Sequence, residues 1–262
     1  MDLEQQVGAL DDGRGYVDLS GDRLLRVDGD DAERWLGDLV TASTSSLDVG
    51  GAQRSLLLTP TGRIRADFLL SKLDDGAFLA VQARDQEEAV AGVLAPYVLS
   101  SAVALTDVDR LHPRWFPGPE RLTVSLDPPN ENAVPVAAEP FERWRVRRGD
   151  PRMGVDFDAG SLPAESRLED AIDFQKGCYL GQESVAKVAN RGHPPTVLLH
   201  LRSDAALVPG TVVHTPDHPV GAVTSIVPGV PAGWVLLARV VWAAAGTDLY
   251  AEGGTPLVPV ED

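Results

Sequence analysis

With 262 residues, 44% apolar and 24% charged, the chain has the make-up of a globular protein, with length for one large domain or two or three small ones. Its net charge of −16 repels phosphate backbones and anionic lipid, so no broad nucleic-acid or membrane surface is expected. The single cysteine, Cys178, excludes an intrachain disulfide, a zinc site with several thiolates, and a four-thiolate iron–sulfur cluster held by this chain alone.

The opening MDLEQQVGAL has no basic region followed by an apolar core. No signal peptide is expected, and a reducing, cytoplasmic setting follows. From Val220 to Gly246 the only charge is Arg239. Pro228 and Pro231 break that run into pieces shorter than a spanning helix, which reads as two buried strands and a loop.

In chain order, Tyr16–Leu19 and Leu24–Val27 read as short strands around the Ser20-Gly21-Asp22 turn. Ala32, Trp35, Leu36, Leu39 and Val40 then follow helical spacing behind a capping Asp30, with Trp35 in the core. Residues 41–51, rich in Ser, Thr and Gly, read as a loop. Ser55–Leu58 and Ile64–Leu73 form a hairpin about Thr59-Pro60-Thr61-Gly62, where Pro60 suits the second turn position. Ala77–Gln82 gives a third strand. Asp85 is expected to cap a helix with Ala89, Val90, Val93, Leu94 and Tyr97 on one face, with a strand at Val103–Thr106 after it.

From Leu111 to Pro140 the chain is Pro-rich (Pro113, Pro117, Pro119, Pro128, Pro129, Pro135), with one short strand at Leu122–Leu126. Arg143, Arg145, Arg147 and Arg148 lie close together. If Phe141–Arg148 is a strand, the first three share one face, more often solvated than a polyanion site. After Gly192-His193-Pro194-Pro195 come short runs at Val197–Leu201, Thr211–His214, Val220–Val227, Trp234–Val240 and Leu257–Val260. They suggest a small antiparallel barrel or sandwich.

The densest chemistry is residues 176–183, KGCYLGQE. Gly181 suits the exit from a turn into a helix opened by Gln182 and Glu183 and running to about Asn190. A cysteine just before a helix start, with the Lys176 ammonium nearby, can become a more reactive thiol. A lone cysteine is by itself more often a small buried hydrophobe. Glu165, Glu169, Asp170 and Asp173 can each offer a carboxylate, and His193 a base, though residues of these types are more often solvated. Phosphate-loop, dinucleotide, zinc-helix and nucleophile-elbow motifs are absent.

KGCYLGQE resembles the signature of the YgfZ/IBA57 family of folate-binding iron–sulfur assembly or repair proteins, relatives of the glycine-cleavage T-protein. Residues 18–32 and the Leu-Thr-Pro-Thr-Gly-Arg-Ile hairpin (58–64) fall in the family's order. The resemblance implies an α+β, aminomethyltransferase-like fold: three subdomains in a ring around a central cavity, with a C-terminal small antiparallel β-barrel. It implies a division into 1–48 with 141–195, 49–140, and 196–262. It further implies that tetrahydrofolate or a related folate binds, and that the partners are iron–sulfur apoproteins or assembly machinery.

Under that likeness Cys178 is the reacting thiol. Lys176, Gly177, Tyr179, Gly181, Gln182 and Glu183 contact the cofactor, with Lys176 steadying a thiolate or anionic tail and Tyr179 walling a pterin-like ring. The acidic residue with which aminomethyltransferases activate folate aligns near Ala89, with Glu87 and Glu88 the nearest carboxylates. An assembly factor is therefore favoured over a turnover enzyme. A folate-dependent aminomethyl or methyl transferase and a non-catalytic interaction module stay open.

Overall fold

A computed structural model describes residues 1–99, 101–109, 111–117 and 122–260; Pro119 of the Pro-rich stretch lies outside them. Two compact units result: Met1–Phe141 with Asp170–Ser184, and Glu142–Glu169 with Val185–Asp262.

The first unit is built on one sheet. Its strands are β1 (Gly15–Asp18), β2 (Arg23–Asp28), β3 (Gly51–Leu58), β4 (Ile64–Lys72), β5 (Phe78–Gln82), β6 (Ala104–Asp107), β7 (Arg114–Pro117), β8 (Leu122–Ser125) and β9 (Val134–Pro135). They lie in the order β6-β2-β5-β4-β3-β8-β7-β1-β9. The β1–β9 pair is parallel and the other pairs are antiparallel. The predicted turn at residues 20–22 separates β1 from β2 without pairing them, because each takes partners from far along the chain.

Side chains alternate across this sheet, as strand geometry requires. Leu25, Val27, Phe78 and Ala80 pack in one core with Trp35, Leu36, Val90 and Leu94. Leu24, Leu79 and Val81 pack on the other side with Leu19, Leu73 and Val124. Trp35 is core, as expected, and its indole N–H donates to Tyr97 O at 2.9 Å. Helix α1 (Leu3–Asp11), which the periodicity did not reveal, carries an Asp2–Gln5 capping box.

Two expected caps differ. Helix α2 (Ala32–Gly37) starts behind Asp31, not Asp30, and the Asp31 carboxylate accepts from Ala102 N–H instead of capping. Helix α3 (Val90–Leu94) starts behind Ala89, not at Asp85. Its first N–H is met from outside the helix by the fully buried Gln82, whose Oε1 accepts from Val90 N at 2.9 Å.

The second unit holds the closed barrel β10-β13-β12-β11-β14-β15. Its strands are β10 (Thr196–Ser203), β11 (Val212–His214), β12 (Pro219–Pro228), β13 (Trp234–Val241), β14 (Leu249–Ala251) and β15 (Thr255–Pro259). Leu201, Val213, Val223, Leu236, Val240 and Leu257 fill it.

Phe141–Arg148 is not a strand. Phe141–Arg147 lies in helix α4 (Ala138–Arg147), Arg148 follows in a turn, and the expected solvated arginine face does not form. Arg145 is 2% exposed, donating to Asp156 (2.7 Å), Ser225 Oγ (3.0 Å) and Asp150 O (3.0 Å). Burial opposes its charge, but Glu142 and Asp156 outweigh that and hold its pKa above the ordinary value. Helical spacing, not alternation, brings Glu142 and Arg145 together.

Because Asp156 is fully enclosed, Arg145→Ala should cost this unit about 3–5 kcal/mol in urea unfolding. A loss below about 1 kcal/mol would mean the carboxylate finds water when its partner is removed.

Candidate functional site

The KGCYLGQE loop is docked along residues 38–42. That segment runs beside β3: Val40 bridges to Leu57, Thr41 N–H donates to Leu56 O (3.0 Å), and Ala42 N–H donates to Ser55 Oγ (3.2 Å). The Thr41 hydroxyl accepts from Leu56 N–H (2.9 Å) and donates to Ala171 O (2.7 Å). Approaching the motif, Asp173 N–H donates to Thr41 O (3.0 Å). Past the cysteine, Leu180 N–H donates to Asp38 O (3.1 Å).

Lys176 completes the attachment. Its Nζ donates to Val40 O and Ala42 O, both at 2.8 Å. Burial pushes its pKa down to about 8, against the carboxylates of Asp173 and Asp38, which favour the charge. The Asp173 carboxylate also accepts from the backbone N–H of Gln175 and Lys176. The Lys176 side chain, expected beside a thiolate or an anionic ligand, thus directs two N–H groups at carbonyls of its own fold.

The rest of the motif divides between buried and exposed. Tyr179 is 6% exposed, and the Lys176 Nζ lies 5.4 Å from its ring centroid. Burial, with the Asp173 charge, pushes the phenol pKa up. The phenol oxygen is buried with no hydrogen-bond partner among the described residues. Gly177 and Cys178 are exposed, and the thiol is free.

Gly181 has φ +84°, and a Cβ there would lie 2.5 Å from Thr59 O and 3.1 Å from Leu58 Cβ. Only glycine lets the motif leave its turn so close to the β3–β4 hairpin. Helix α5 (Gln182–Arg191) follows, with Gln182 half-buried and Glu183 exposed in its first turn, where a negative charge is favoured.

Other expected candidates stand apart. In the second unit the Glu165 oxygens accept from Leu162 N–H and the Thr196 hydroxyl, both at 2.7 Å. His193 stacks on Trp242 with ring centroids 3.9 Å apart. In the first unit Glu88 pairs with Arg65 at 2.7 Å, Glu87 is exposed, and Glu169 and Asp170 are exposed in their respective units. A cleft of about 450 Å³ in the first unit is lined by Asp22, Arg23, Arg84, Ala89, Val90 and Asp107 among others; the motif residues do not line it. Among the described residues, no group of three or more His, Cys, Asp or Glu side chains can hold a metal ion, and no helix is long and apolar enough to cross a membrane. Sequence reasoning missed Thr41, which sat in an apparent loop and meets Ala171 across 130 positions.

Residues 2–119 match the model of the GCVT N-terminal domain. The chain is 24% identical over 242 residues to the tRNA-modifying protein YgfZ of Enterobacter sp. (strain 638), covering 74% of this chain and 73% of that protein. It is 27% identical over 216 residues to the mitochondrial iron–sulfur cluster assembly factor IBA57 homolog of Pyricularia oryzae, covering 68% of this chain and 54% of that one. The chain is similar to the YgfZ and IBA57 proteins. The crystal structure of glycine cleavage system aminomethyltransferase T from Bartonella henselae superposes with a TM-score of 0.81 at 16% identity, over 99% of this chain and 88% of that one. The fold of this chain is therefore the aminomethyltransferase-like α+β fold with a C-terminal antiparallel barrel, as the KGCYLGQE resemblance implied.

The depressed Lys176 pKa has a consequence for stability. Between about pH 8 and the ordinary value of 10.5, the unfolded chain holds a proton on this lysine that the folded chain has released. Lys176 therefore adds stability as pH rises through that window, and below about pH 8 its burial cost is constant. Comparing urea unfolding from about pH 7.5 to 10, wild type should gain about 1–2 kcal/mol relative to Lys176→Met, the solvent-screened part of the shift. Parallel curves would show that the amine titrates alike in both states.

Proposed function

We propose that this chain binds tetrahydrofolate or a related folate and serves the assembly or repair of iron–sulfur clusters in other proteins, with Cys178 as the reacting or ligand-sharing thiol. One observation carries the reading: the sole cysteine stands exposed on a loop attached through Asp173 and Lys176 before it and Leu180 after it. A structural cysteine is ordinarily buried, whereas a working thiol needs exposure and a fixed position. The kinship with YgfZ and IBA57 proteins supports the same reading.

For the folate, the fit rests on the unpartnered Tyr179 hydroxyl, with Lys176, Gly177, Gly181, Gln182 and Glu183 around it in the motif. A bound folate would supply one-carbon chemistry. The partners in this reading are iron–sulfur apoproteins or their assembly machinery, met in a reducing cytoplasm where a lone thiol stays free. A turnover transferase is disfavoured. On the family resemblance the acidic position falls near Ala89, which has no carboxylate; Glu88 is bound to Arg65, and Glu165 is engaged by Leu162 and Thr196.

Two measurements test this. Calorimetric titration with tetrahydrofolate should give binding to wild type and to Cys178→Ala alike. Cys178→Ala, whose stability should change by less than about 0.5 kcal/mol at this exposed position, should fail to restore iron–sulfur enzyme activity in a strain lacking the protein. Absence of binding to wild type would remove the folate; full restoration by Cys178→Ala would remove the thiol.

A further inference from the structure

We infer that Thr41, outside the KGCYLGQE motif, is the positioning residue of the Cys178 loop, taking that loop as the working site on the reading above. Thr41 is fully buried and uses all of its polar groups. Its N–H and hydroxyl hold Leu56 of β3; its carbonyl and the same hydroxyl hold Asp173 and Ala171 on the approach to the motif. The carbonyls on either side of it, Val40 and Ala42, receive the Lys176 amine. Rotation or slippage at Thr41 therefore moves both anchors that precede Cys178 at once. The charged and titratable groups around that amine are Asp173, Asp38 and Tyr179.

A valine is close to threonine in shape but offers no hydroxyl, so Thr41→Val strands the Leu56 N–H and Ala171 carbonyl in a buried place. Thr41→Ser keeps the hydroxyl. The readout is the rate of Cys178 alkylation by iodoacetamide as a function of pH, the one thiol in the chain making the signal unambiguous.

Thr41→Val should still unfold cooperatively, yet change the alkylation rate at least about threefold or move the profile by about half a pH unit. Thr41→Ser should stay within about twofold of wild type. A Thr41→Val profile that overlays wild type, or a Thr41→Ser profile as altered as that of valine, would overturn the assignment. Should Thr41→Val not fold, hydrogen exchange of wild type decides: the amides of Leu56 and Asp173 should be protected at least about 100-fold, and unprotected exchange at either would overturn it. The working-site reading fails separately, through full activity of Cys178→Ala, which leaves the effect of Thr41 on the thiol measurable in the wild-type background.

Discussion

The structure around the motif depends on one amine. Lys176 reaches back to Val40 and Ala42 and joins two carbonyls that are close in sequence to each other and far from it. Each contact is a charge-assisted bond to a partly buried acceptor, stronger than an exposed one. The same burial brings the amine close to losing its proton near neutral pH. The sheet beneath is covered by apolar side chains on both faces and supplies the rigid part. The lysine, with the backbone bonds of Asp173 and Leu180, fixes a loop to that part and leaves Cys178 outward.

Much of this was legible in the residues. KGCYLGQE, the Thr59–Gly62 turn and the helix after Gly181 are local features, written in glycine, proline and polar side chains that act within a few positions. The C-terminal strands showed as a barrel or sandwich, because short apolar runs separated by turn residues have few other solutions; the pattern alone did not choose between the two. Phe141–Arg148 failed because its alternating arginines mimic a strand; the Glu142–Arg145 contact and the buried Asp156 that favour the helix lie outside a two-residue period. The caps failed because Asp31 and Gln82 take partners chosen by tertiary contact, not by neighbouring sequence. Thr41 was invisible for the same reason.

The functional reading follows from what the loop presents and what it withholds. Its cysteine is open to solvent, while its lysine and tyrosine are turned into the fold.

The attachment of the motif is tested most directly on the amine itself. With ¹⁵N-labelled lysine, the Lys176 Nζ resonance can be followed by NMR from neutral to alkaline pH. The account predicts a midpoint at about 8, with amine protons slowed by their carbonyl acceptors. A midpoint at the ordinary value of 10.5, with fast-exchanging protons, would contradict it: the amine would be in solvent, and the loop would have lost its anchor.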